Sequence, residues 1–454
     1  MANDYCSPLD IKQIEQNFSE INPALTEAEA LHEANRCLYC YDAPCTRACP
    51  THIDVPSFIK KIASGNLMGS ARVIFDANPI GATCARVCPV EVLCEGACVE
   101  KTLLDKPIEI GRLQRYATDH AMTNGRQIYT KGESNGKSIG VVGSGPAGLS
   151  CASYLARLGY DVTVYEKRPQ AGGLDTYGMA EYKMPQAVSL SEVEHVEKMG
   201  VNFILNHEVI SIEELRSNHD AVFLATGLGE TNKLNIPGED LEGVFDALYF
   251  IERIKSRIWK LVPLGKTVIV IGAGNTAIDA VTQAKRLGAQ KVIMVYRRTE
   301  KDASAYDYEM ELARKDGVEF VWQAAPVGIL SDDNKRVTGL RCEKTDGSLE
   351  LFEIPCDMVI KAVGQQKMRS FFESVALAAD EKGRVVVNAS MQTSDPKVFA
   401  GGDCANGGKE AVDASQMGKL AAMGIHETLS GEKVEFAGAV VREPAKAPVD
   451  TIPH

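Results

Sequence analysis

The chain has 454 residues, enough for about three domains with a sizeable buried core. Its composition of 45% hydrophobic and 24% charged residues is that of an ordinary globular protein and argues against a disordered or fibrous chain. The net charge of −12 repels a phosphate backbone and argues against a nucleic-acid partner. The first ten residues lack the apolar core of a secretory signal, and no long apolar segment follows that could span a membrane, so we expect a cytoplasmic protein.

Two groups of cysteines lie in the first hundred residues. In a reducing compartment, clustered thiols indicate metal binding rather than disulfide bonds. The first group has the spacing C-x2-C-x4-C-x3-C-P, which is typical of loops in which three cysteines bind one iron–sulfur cluster and the fourth binds another. Two clusters are therefore predicted, and spacing alone leaves open which cysteine of the second group is redundant. The first group is Cys37, Cys40, Cys45 and Cys49, and the second is Cys84, Cys88, Cys94 and Cys98.

The alternative interpretation of these cysteines is a pair of structural zinc sites, because C-x2-C knuckles also occur in zinc proteins. The proline after Cys49 and the nucleotide-binding pattern downstream favour iron–sulfur clusters. The other five cysteines have no neighbour at ligand spacing, and we predict that they are small buried side chains. They are Cys6, Cys151, Cys342, Cys356 and Cys404.

The order of predicted elements indicates an α/β fold with a helical N-terminal domain. Up to about residue 127 the pattern is helical, for example from Thr26 to Arg36 and from Val55 to Ile62. Two β-α-β units follow, one beginning at Ser138–Val142 and the other, roughly 130 residues later, at Thr267–Ile271. Each unit predicts a parallel sheet of the Rossmann type. The predicted domains are 1–127 for two 4Fe-4S clusters, 128–240 and 367–432 for FAD, 241–366 for NAD(P)H, and 433–454 as an extended tail.

The first β-α-β unit carries a dinucleotide-binding motif, Gly143-Ser-Gly145-Pro-Ala-Gly148. Its glycines permit a tight turn and a close approach of the backbone to a pyrophosphate at the helix N-terminus. Glu166 ends the second strand, where it can accept hydrogen bonds from a ribose diol. We therefore predict an FAD or NAD site made by Gly143, Gly145, Pro146, Ala147, Gly148, Glu166, Gly173 and Leu174.

The second motif, Gly272-Ala-Gly274-Asn-Thr-Ala277, differs at the end of its second strand. There the expected acid is absent, and Arg297 and Arg298 follow Tyr296. An acid would repel a 2′-phosphate and guanidinium groups would bind it, so the pair favours NADP over NAD. The alternative is a solvated pair of arginines at a strand end.

Two further strand–glycine patterns complete the nucleotide-binding part of the chain. Ala225-Thr-Gly227 lies between the two motifs, and Val398-Phe-Ala-Gly-Gly402-Asp403 lies near the end. Flavoproteins with two dinucleotide domains carry both, with the second domain inserted in the first. In that arrangement Asp403 binds the flavin ribityl chain. The FAD domain is complete only when the C-terminal segment, which follows the inserted domain, packs back onto it.

Residues 30 to 430 resemble the glutamate synthase small-subunit superfamily, and within it the NAD(P)H-oxidising half of dihydropyrimidine dehydrogenase. The resemblance lies in Asp42-Ala-Pro-Cys45, in Asn78-Pro-Ile-Gly-Ala-Thr-Cys84-Ala-Arg-Val-Cys88-Pro89, and in Ile108-Glu-Ile-Gly111-Arg-Leu-Gln114-Arg. It implies one cluster bound by Cys37, Cys40, Cys45 and Cys98, and another bound by Cys49, Cys88, Cys94 and Gln114. Cys84 is then not a ligand, and the neutral amide of Gln114 should raise the potential of its cluster, as neutral histidines do in Rieske centres.

The same resemblance implies further cofactor-binding residues. Lys183 and Val209 are expected at the FAD. At the nicotinamide nucleotide it implies Ala273, Gly274, Asn275, Thr276, Arg297, Arg298 and the segment Ala362 to Gly364. Where mammalian relatives have another phosphate-binding arginine, this chain has Ser304, which weakens the expectation of NADPH without reversing it.

The resemblance also implies a partner subunit. Pyrimidine reduction in that family takes place in an FMN-containing barrel of about 250 residues, for which this chain has no room. We therefore expect an FMN-containing, dihydroorotate-dehydrogenase-like catalytic subunit in a heterotetramer, with no nucleic-acid or membrane partner. Hydride passes from NADPH to FAD, and single electrons pass through both clusters to the FMN subunit, which reduces uracil or thymine to the 5,6-dihydropyrimidine. No side chain is expected to act as a general acid, base or nucleophile.

The sequence suggests three alternative functions. The alternative within the superfamily is a glutamate synthase small-subunit-like NADPH oxidoreductase that feeds a different acceptor. A free-standing disulfide reductase needs a C-x-x-C beside the nicotinamide domain, and none follows Cys98. A zinc-stabilised binding protein with a vestigial nucleotide fold is the non-enzymatic alternative.

Overall fold

The computed structural model describes residues 7–438. These residues form two compact units, which are described separately. The first unit consists of residues 7–21, 173–187 and 228–367, and the second of residues 22–172, 188–227 and 368–438. The units do not coincide with the domains expected from the sequence, whose boundaries stay a prediction. Most of the predicted C-terminal tail lies outside the described residues, as does Cys6.

The described residues contain eighteen α-helices. The helices are α1 Ile11–Asn17, α2 Glu27–Asn35, α3 Pro44–Ala48, α4 Val55–Ala63, α5 Leu67–Ala77, α6 Gly81–Val87, α7 Val99–Leu104, α8 Ile110–Thr123, α9 Pro146–Arg157, α10 Leu174–Tyr177, α11 Gln186–Glu197, α12 Glu213–Asn218, α13 Ala247–Lys255, α14 Asn275–Arg286, α15 Asp307–Lys315, α16 Arg369–Ser374, α17 Asp403–Asn406 and α18 Ala411–Ser430. None of these helices combines the length and the apolar character needed to cross a bilayer.

The same residues contain thirteen strands in three sheets. The strands are β1 Ser138–Val142, β2 Asp161–Tyr165, β3 Asn202–Ile204, β4 Ala221–Leu224, β5 Val244–Asp246, β6 Thr267–Ile271, β7 Lys291–Val295, β8 Glu319–Val321, β9 Ala324–Ser331, β10 Val337–Lys344, β11 Leu351–Pro355, β12 Met358–Lys361 and β13 Val398–Ala400.

The second unit begins with short helices, as the sequence predicts. Helices α2 to α8 carry the cysteines mostly in the loops and at the helix ends between them, with Cys45 within α3 and Cys84 within α6. The first of them is fixed by a capping box between Thr26 and Glu29, which satisfies backbone donors at the helix start. Apolar faces of these helices meet in one buried cluster that includes Phe58, Ile59 and Leu113. This cluster is the scaffold on which the cysteine loops are placed.

A five-stranded parallel sheet forms the remainder of the second unit. Its strand order is β13-β4-β1-β2-β3. Because β13 comes from the end of the chain and pairs with β4 in parallel, the sheet is completed only after the whole intervening segment has been inserted. The nested arrangement of two Rossmann-like domains expected from the sequence is therefore confirmed.

The first unit contains the second parallel sheet, with the order β5-β12-β6-β7-β8. It also contains an antiparallel sheet of β9, β10 and β11 that the sequence analysis did not predict. Its pattern is hard to recognise, because strand pairing shifts register near Arg341 and the apolar alternation of β9 is interrupted by Pro326 and Gly328.

A buried carboxylate joins the sheet domain of the second unit to the cysteine-bearing helices. Glu192 on α11 is 2% exposed. Its Oε1 accepts a hydrogen bond from Ala82 N at 2.7 Å, and its Oε2 accepts one from Thr83 Oγ1 at 2.5 Å. Both donors lie in the first turn of α6, where backbone N–H groups have no partner within the helix. Glu192 therefore fixes the start of the helix that leads to Cys84 and Cys88.

We expect Glu192→Ala to lower the free energy of unfolding by about 1–3 kcal/mol, because buried donors of α6 lose their acceptor. The measurement is the thermal unfolding of the cofactor-loaded protein. The matched control is Glu194→Ala on the same helix, since Glu194 is 58% exposed and pairs with the exposed Lys198, a type of contact worth little. Equal melting temperatures for the two variants would contradict this role of Glu192.

Candidate functional site

The first glycine motif lies at the carboxyl end of β1, in the second unit. Gly143 has a φ of +96°, and a Cβ there would lie 2.4 Å from the carbonyl oxygen of Ala225. A Cβ on Gly148 would lie 2.0 Å from the carbonyl oxygen of Gly143. Helix α9 starts at Pro146, with Gly145 as its N-cap. The turn thus leaves backbone N–H groups open at a helix N-terminus, an arrangement that fits a pyrophosphate.

Glu166 follows β2 and faces the same turn. Its Oε2 accepts hydrogen bonds from Ser144 N, at 3.1 Å, and from Ser144 Oγ, and its Oε1 accepts one from Arg168 N at 2.8 Å. The carboxylate therefore fixes the glycine turn from the neighbouring strand. Its predicted binding of a ribose diol stays a prediction, and the contribution of Ser144 was missed by the sequence analysis.

The C-terminal glycine pattern joins this site. Gly402 has a φ of +77°, and a Cβ there would lie 3.0 Å from Cβ of Ala147. Asp403 follows directly, and its Oδ1 accepts a hydrogen bond from Lys409 N at 3.3 Å. The structure therefore brings Gly402 and Asp403 to the predicted FAD turn. Val209 lies in the loop after β3 and packs against the hydrophobic cluster that includes Ile212 and Leu215 in the same unit.

Three residues predicted to bind FAD lie in the first unit. Gly173 has a φ of +57° and is the N-cap of α10, which begins at the partly exposed Leu174. Lys183 Nζ lies 2.5 Å from Asp279 Oδ1 and 2.6 Å from Glu309 Oε1. Burial favours the neutral amine, but these carboxylates raise the pKa of Lys183. The lysine is therefore a paired ammonium, and its role at a flavin stays a prediction.

The second glycine motif has the same construction within the first unit. Gly272 has a φ of +133°, and a Cβ there would lie 2.2 Å from the carbonyl oxygen of Ala362. Gly364, two residues after Ala362, has a φ of +80°. Asn275 Oδ1 accepts a hydrogen bond from Tyr306 N at 3.2 Å. The sequence-predicted residues Ala273, Gly274 and Thr276 lie on this turn, which fits a second nucleotide.

The two arginines after β7 are exposed. The carbonyl of Arg297 accepts a hydrogen bond from Thr345 Oγ1 at 2.6 Å, and that of Arg298 accepts one from Gln323 N at 3.0 Å. Their backbone is therefore held while their guanidinium groups face solvent. Ser304 is exposed as well, and its Oγ lies 3.2 Å from the position of a Cβ on Gly274, which places a hydroxyl beside the turn.

Four of the predicted cluster ligands line one cavity in the second unit. Cys37, Cys40, Cys45 and Cys98 line a cavity whose other walls include Val55, Pro56, Ile59, Ile108 and Ile110. Burial raises the pKa of Cys45 to about 12, so bare thiolates are unfavourable there. Iron ions compensate such charges, because metal binding favours the deprotonated ligand. The donor set and its apolar enclosure fit a 4Fe-4S cluster.

The other cysteines of the two groups are also neighbours. A hydrogen bond to Cys84, together with burial and the charges of Cys49 and Cys94, raises the pKa of Cys88. Gln114 on α8 is buried, and its Nε2 donates to the carbonyl of Gly81 at 2.7 Å. This leaves Oε1 as the amide atom able to bind iron, and the set Cys49, Cys88, Cys94 and Gln114 stays a prediction for the second cluster.

Within residues 7–438, no group of three or more His, Cys, Asp or Glu side chains is arranged to hold a single metal ion.

A buried lysine that was not predicted from the sequence lies near Cys49, the last cysteine of the first group. Lys419 on α18 has no exposed surface, and burial lowers its pKa to about 7. The signal for it was available, because Lys419 is the only charged residue in the apolar stretch from Met417 to Ile425. A lone charge within such a stretch indicates a buried ammonium rather than a solvated one.

Comparison with known families agrees with both the glycine turns and the cysteine groups. Residues 137–418 match the model of the pyridine nucleotide-disulphide oxidoreductases. Residues 14–126 match that of dihydropyrimidine dehydrogenase domain II, which is described as a 4Fe-4S cluster domain. These matches confirm an oxidoreductase with FAD, NAD(P) and 4Fe-4S clusters.

Two relatives from Escherichia coli (strain K12) extend over almost the whole chain. The NAD-dependent dihydropyrimidine dehydrogenase subunit PreT is 36% identical over 421 residues, which are 92% of this chain and 98% of the relative. The glutamate synthase [NADPH] small chain is 34% identical over 454 residues, covering 92% of this chain and 95% of the relative. The superfamily expected from the sequence is thereby confirmed.

Solved structures agree on the fold. Thioredoxin reductase from T. acidophilum has a TM-score of 0.55 at 23% identity, over 64% of this chain and 98% of that protein. FprA of Mycobacterium tuberculosis in complex with NADPH has a TM-score of 0.54 at 20% identity, over 65% of this chain and 85% of FprA. Together, the matched models and relatives show that the chain belongs to the pyridine nucleotide-disulphide oxidoreductases, in the superfamily of the glutamate synthase small chain and PreT.

Proposed function

We propose that the protein is the electron-input subunit of a dihydropyrimidine dehydrogenase. It oxidises NADPH and delivers electrons to an FMN-containing partner subunit, which reduces uracil or thymine. The observation that carries the proposal is the placement of the first glycine turn and both cysteine groups within one compact unit. The name of the relative PreT, a dehydrogenase subunit, supports a division of labour between chains.

The residues of this chain bind and orient the cofactors rather than react. When bound, FAD takes hydride from the nicotinamide and returns electrons singly, and iron–sulfur clusters accept one electron at a time. The glycine turns at Gly143 and Gly272 present backbone N–H groups to the two pyrophosphates. Glu166 lies beside the first turn through Ser144, and Asp403 follows Gly402, which packs on Ala147; in this proposal the two carboxylates accept hydrogen bonds from the sugar and ribityl hydroxyls.

The proposed exit for electrons is the cluster held by Cys37, Cys40, Cys45 and Cys98. Large apolar side chains next to these ligands are exposed. Leu38 and Tyr41 are 52% and 95% exposed, and Leu103 and Leu104, which follow Cys98, are 62% and 67% exposed. Exposed apolar groups of this kind mark protein–protein contacts, and here they support docking of the partner beside the first cluster.

The choice of NADPH rests on Arg297 and Arg298. The names of the two relatives do not decide it, since PreT is NAD-dependent and the glutamate synthase small chain is NADPH-dependent by name. Two exposed guanidinium groups at the end of β7 stand where an NAD site carries a carboxylate. They favour a nucleotide with a 2′-phosphate.

The second candidate for the electron acceptor is the large subunit of a glutamate synthase. It is favoured by the 34% identity to the glutamate synthase small chain.

We expect anaerobic NADPH to bleach the flavin and cluster absorbance, and NADPH to support uracil reduction only when an FMN-containing partner chain is present. The measurement is a stopped-flow and steady-state comparison of NADPH and NADH with each candidate partner. Electron delivery to a large amidotransferase subunit, with none to the FMN chain, would contradict the proposal.

Arg297→Ala should reduce the selectivity for NADPH over NADH about ten- to a hundred-fold, because one charge-assisted hydrogen bond is worth about 1.5–3 kcal/mol. The measurement is the ratio of kcat/KM for the two nucleotides with an artificial acceptor. Arg336→Ala removes another exposed arginine of the same unit and serves as the control. An unchanged ratio in Arg297→Ala would mean that the arginine is only a solvated charge.

The proposed ligand sets predict opposite results for two neighbouring cysteines. Cys88→Ala should lose one of the two clusters, hence about half of the iron and acid-labile sulfide. Cys84→Ala should keep both clusters, because Cys84 is the cysteine left without a ligand role. Both contents are measured on protein purified without oxygen. Loss of iron in the Cys84 variant, with full content in the Cys88 variant, would reverse the assignment.

A further inference from the structure

Helix α18 lies between the first glycine turn and the loop that follows Cys49, within the second unit. A Cβ on Gly418 would lie 2.2 Å from the carbonyl oxygen of Ala147, so the helix packs directly on the first turn of α9. The next residue, Lys419, has no exposed surface. One helix therefore contacts the nucleotide turn and carries a fully buried lysine.

Lys419 binds the loop that follows Cys49. Its Nζ donates to the carbonyl of Thr51 at 3.1 Å and to that of Ala437 at 2.9 Å. Thr51 is buried, and its Oγ1 lies 3.4 Å from Cys49 Sγ. The lysine is thus linked to a predicted cluster ligand through a single residue.

The charge of Lys419 has no carboxylate partner within the described residues, where its hydrogen-bond acceptors are the two carbonyl groups. Cys49 and Asp76 lie near enough to favour its ammonium, whereas the charge of Arg157 opposes it. A buried charge is costly unless an opposite charge compensates it. A thiolate-bound cluster carries negative charge and becomes more negative on reduction, so it supplies that compensation.

We propose that Lys419 is a positioning residue for the second cluster, and that its ammonium holds the Cys49–Thr51 loop and raises the cluster's reduction potential. A positive charge in a medium of low dielectric constant stabilises the more negative, reduced state. The inference rests on the proposed electron route, in which the second cluster receives single electrons from the reduced flavin. A raised potential favours that transfer.

The same face of α18 makes a second contact with a cysteine segment. Ser415, one turn before Lys419, donates from Oγ to Asn78 Oδ1 at 2.8 Å. Asn78 Nδ2 in turn donates to Cys84 Sγ at 3.1 Å. Residues four apart share a helix face, so this face of α18 is linked to Cys49 of the first group and to Cys84 of the second group.

The test is an anaerobic redox titration followed by electron paramagnetic resonance. Lys419→Met removes the charge, Lys419→Arg keeps it, and Lys433→Met removes a lysine that is 83% exposed. We expect a downward shift in the potential of one cluster in Lys419→Met, with the other cluster unchanged. The potentials of both clusters should stay near those of the wild type in Lys419→Arg and Lys433→Met.

Unchanged potentials in Lys419→Met would overturn the inference, as would equal downward shifts in the Met and Arg variants, which would trace the effect to packing. If Lys419→Met lacks iron, Lys419→Gln decides by the same titration, because it keeps a donor without the charge. A wild-type protein with a single cluster signal would instead contradict the proposed function. Two signals with unshifted potentials in the variant contradict only the role of Lys419.

Discussion

The pairing of β13 with β4 is the constraint on which the second unit depends. Residues 398–400 lie beside residues 222–224, so the sheet is completed by strands separated by most of the second nucleotide fold. Pairing of segments so far apart carries a large loop-closure cost. The same closure brings Gly402 and Asp403 to the first glycine turn and lays α18 on α9. The positions of Gly402, Asp403 and α18 beside the first glycine turn are therefore consequences of one long-range contact.

The parts of the fold that follow from short-range pattern were predictable. The strands Ser138–Val142 and Thr267–Ile271 and the glycine turns after them are determined by residues close in sequence. The assignment of the cysteines to two clusters came from family resemblance, because spacing alone left open which cysteine is redundant. The antiparallel sheet of the first unit was missed because bulges and glycines obscure its alternation.

Contacts between segments that are distant in the chain could not be predicted from the sequence. Lys183 was expected at a flavin, yet its ammonium pairs with Asp279 and Glu309, about a hundred residues away in the chain. Glu192 and Lys419 were not recognised, since a buried charge is identified by its partners and those lie on other elements. Both interact with the cysteine-bearing part of the second unit, where hydrogen-bond donors and sulfur atoms require compensation.

The last described residues are part of this arrangement. Gly438 accepts a hydrogen bond from His52 Nδ1 at 2.9 Å, and a Cβ on it would lie 2.1 Å from the carbonyl oxygen of Thr51. Phe436 packs on Tyr154 with ring centroids 4.5 Å apart. The polypeptide beyond α18 thus packs on the Thr51–His52 segment that follows Cys49. Lys419 binds the carbonyls of Thr51 and Ala437, so one buried ammonium ties the end of the described chain to the first cysteine group.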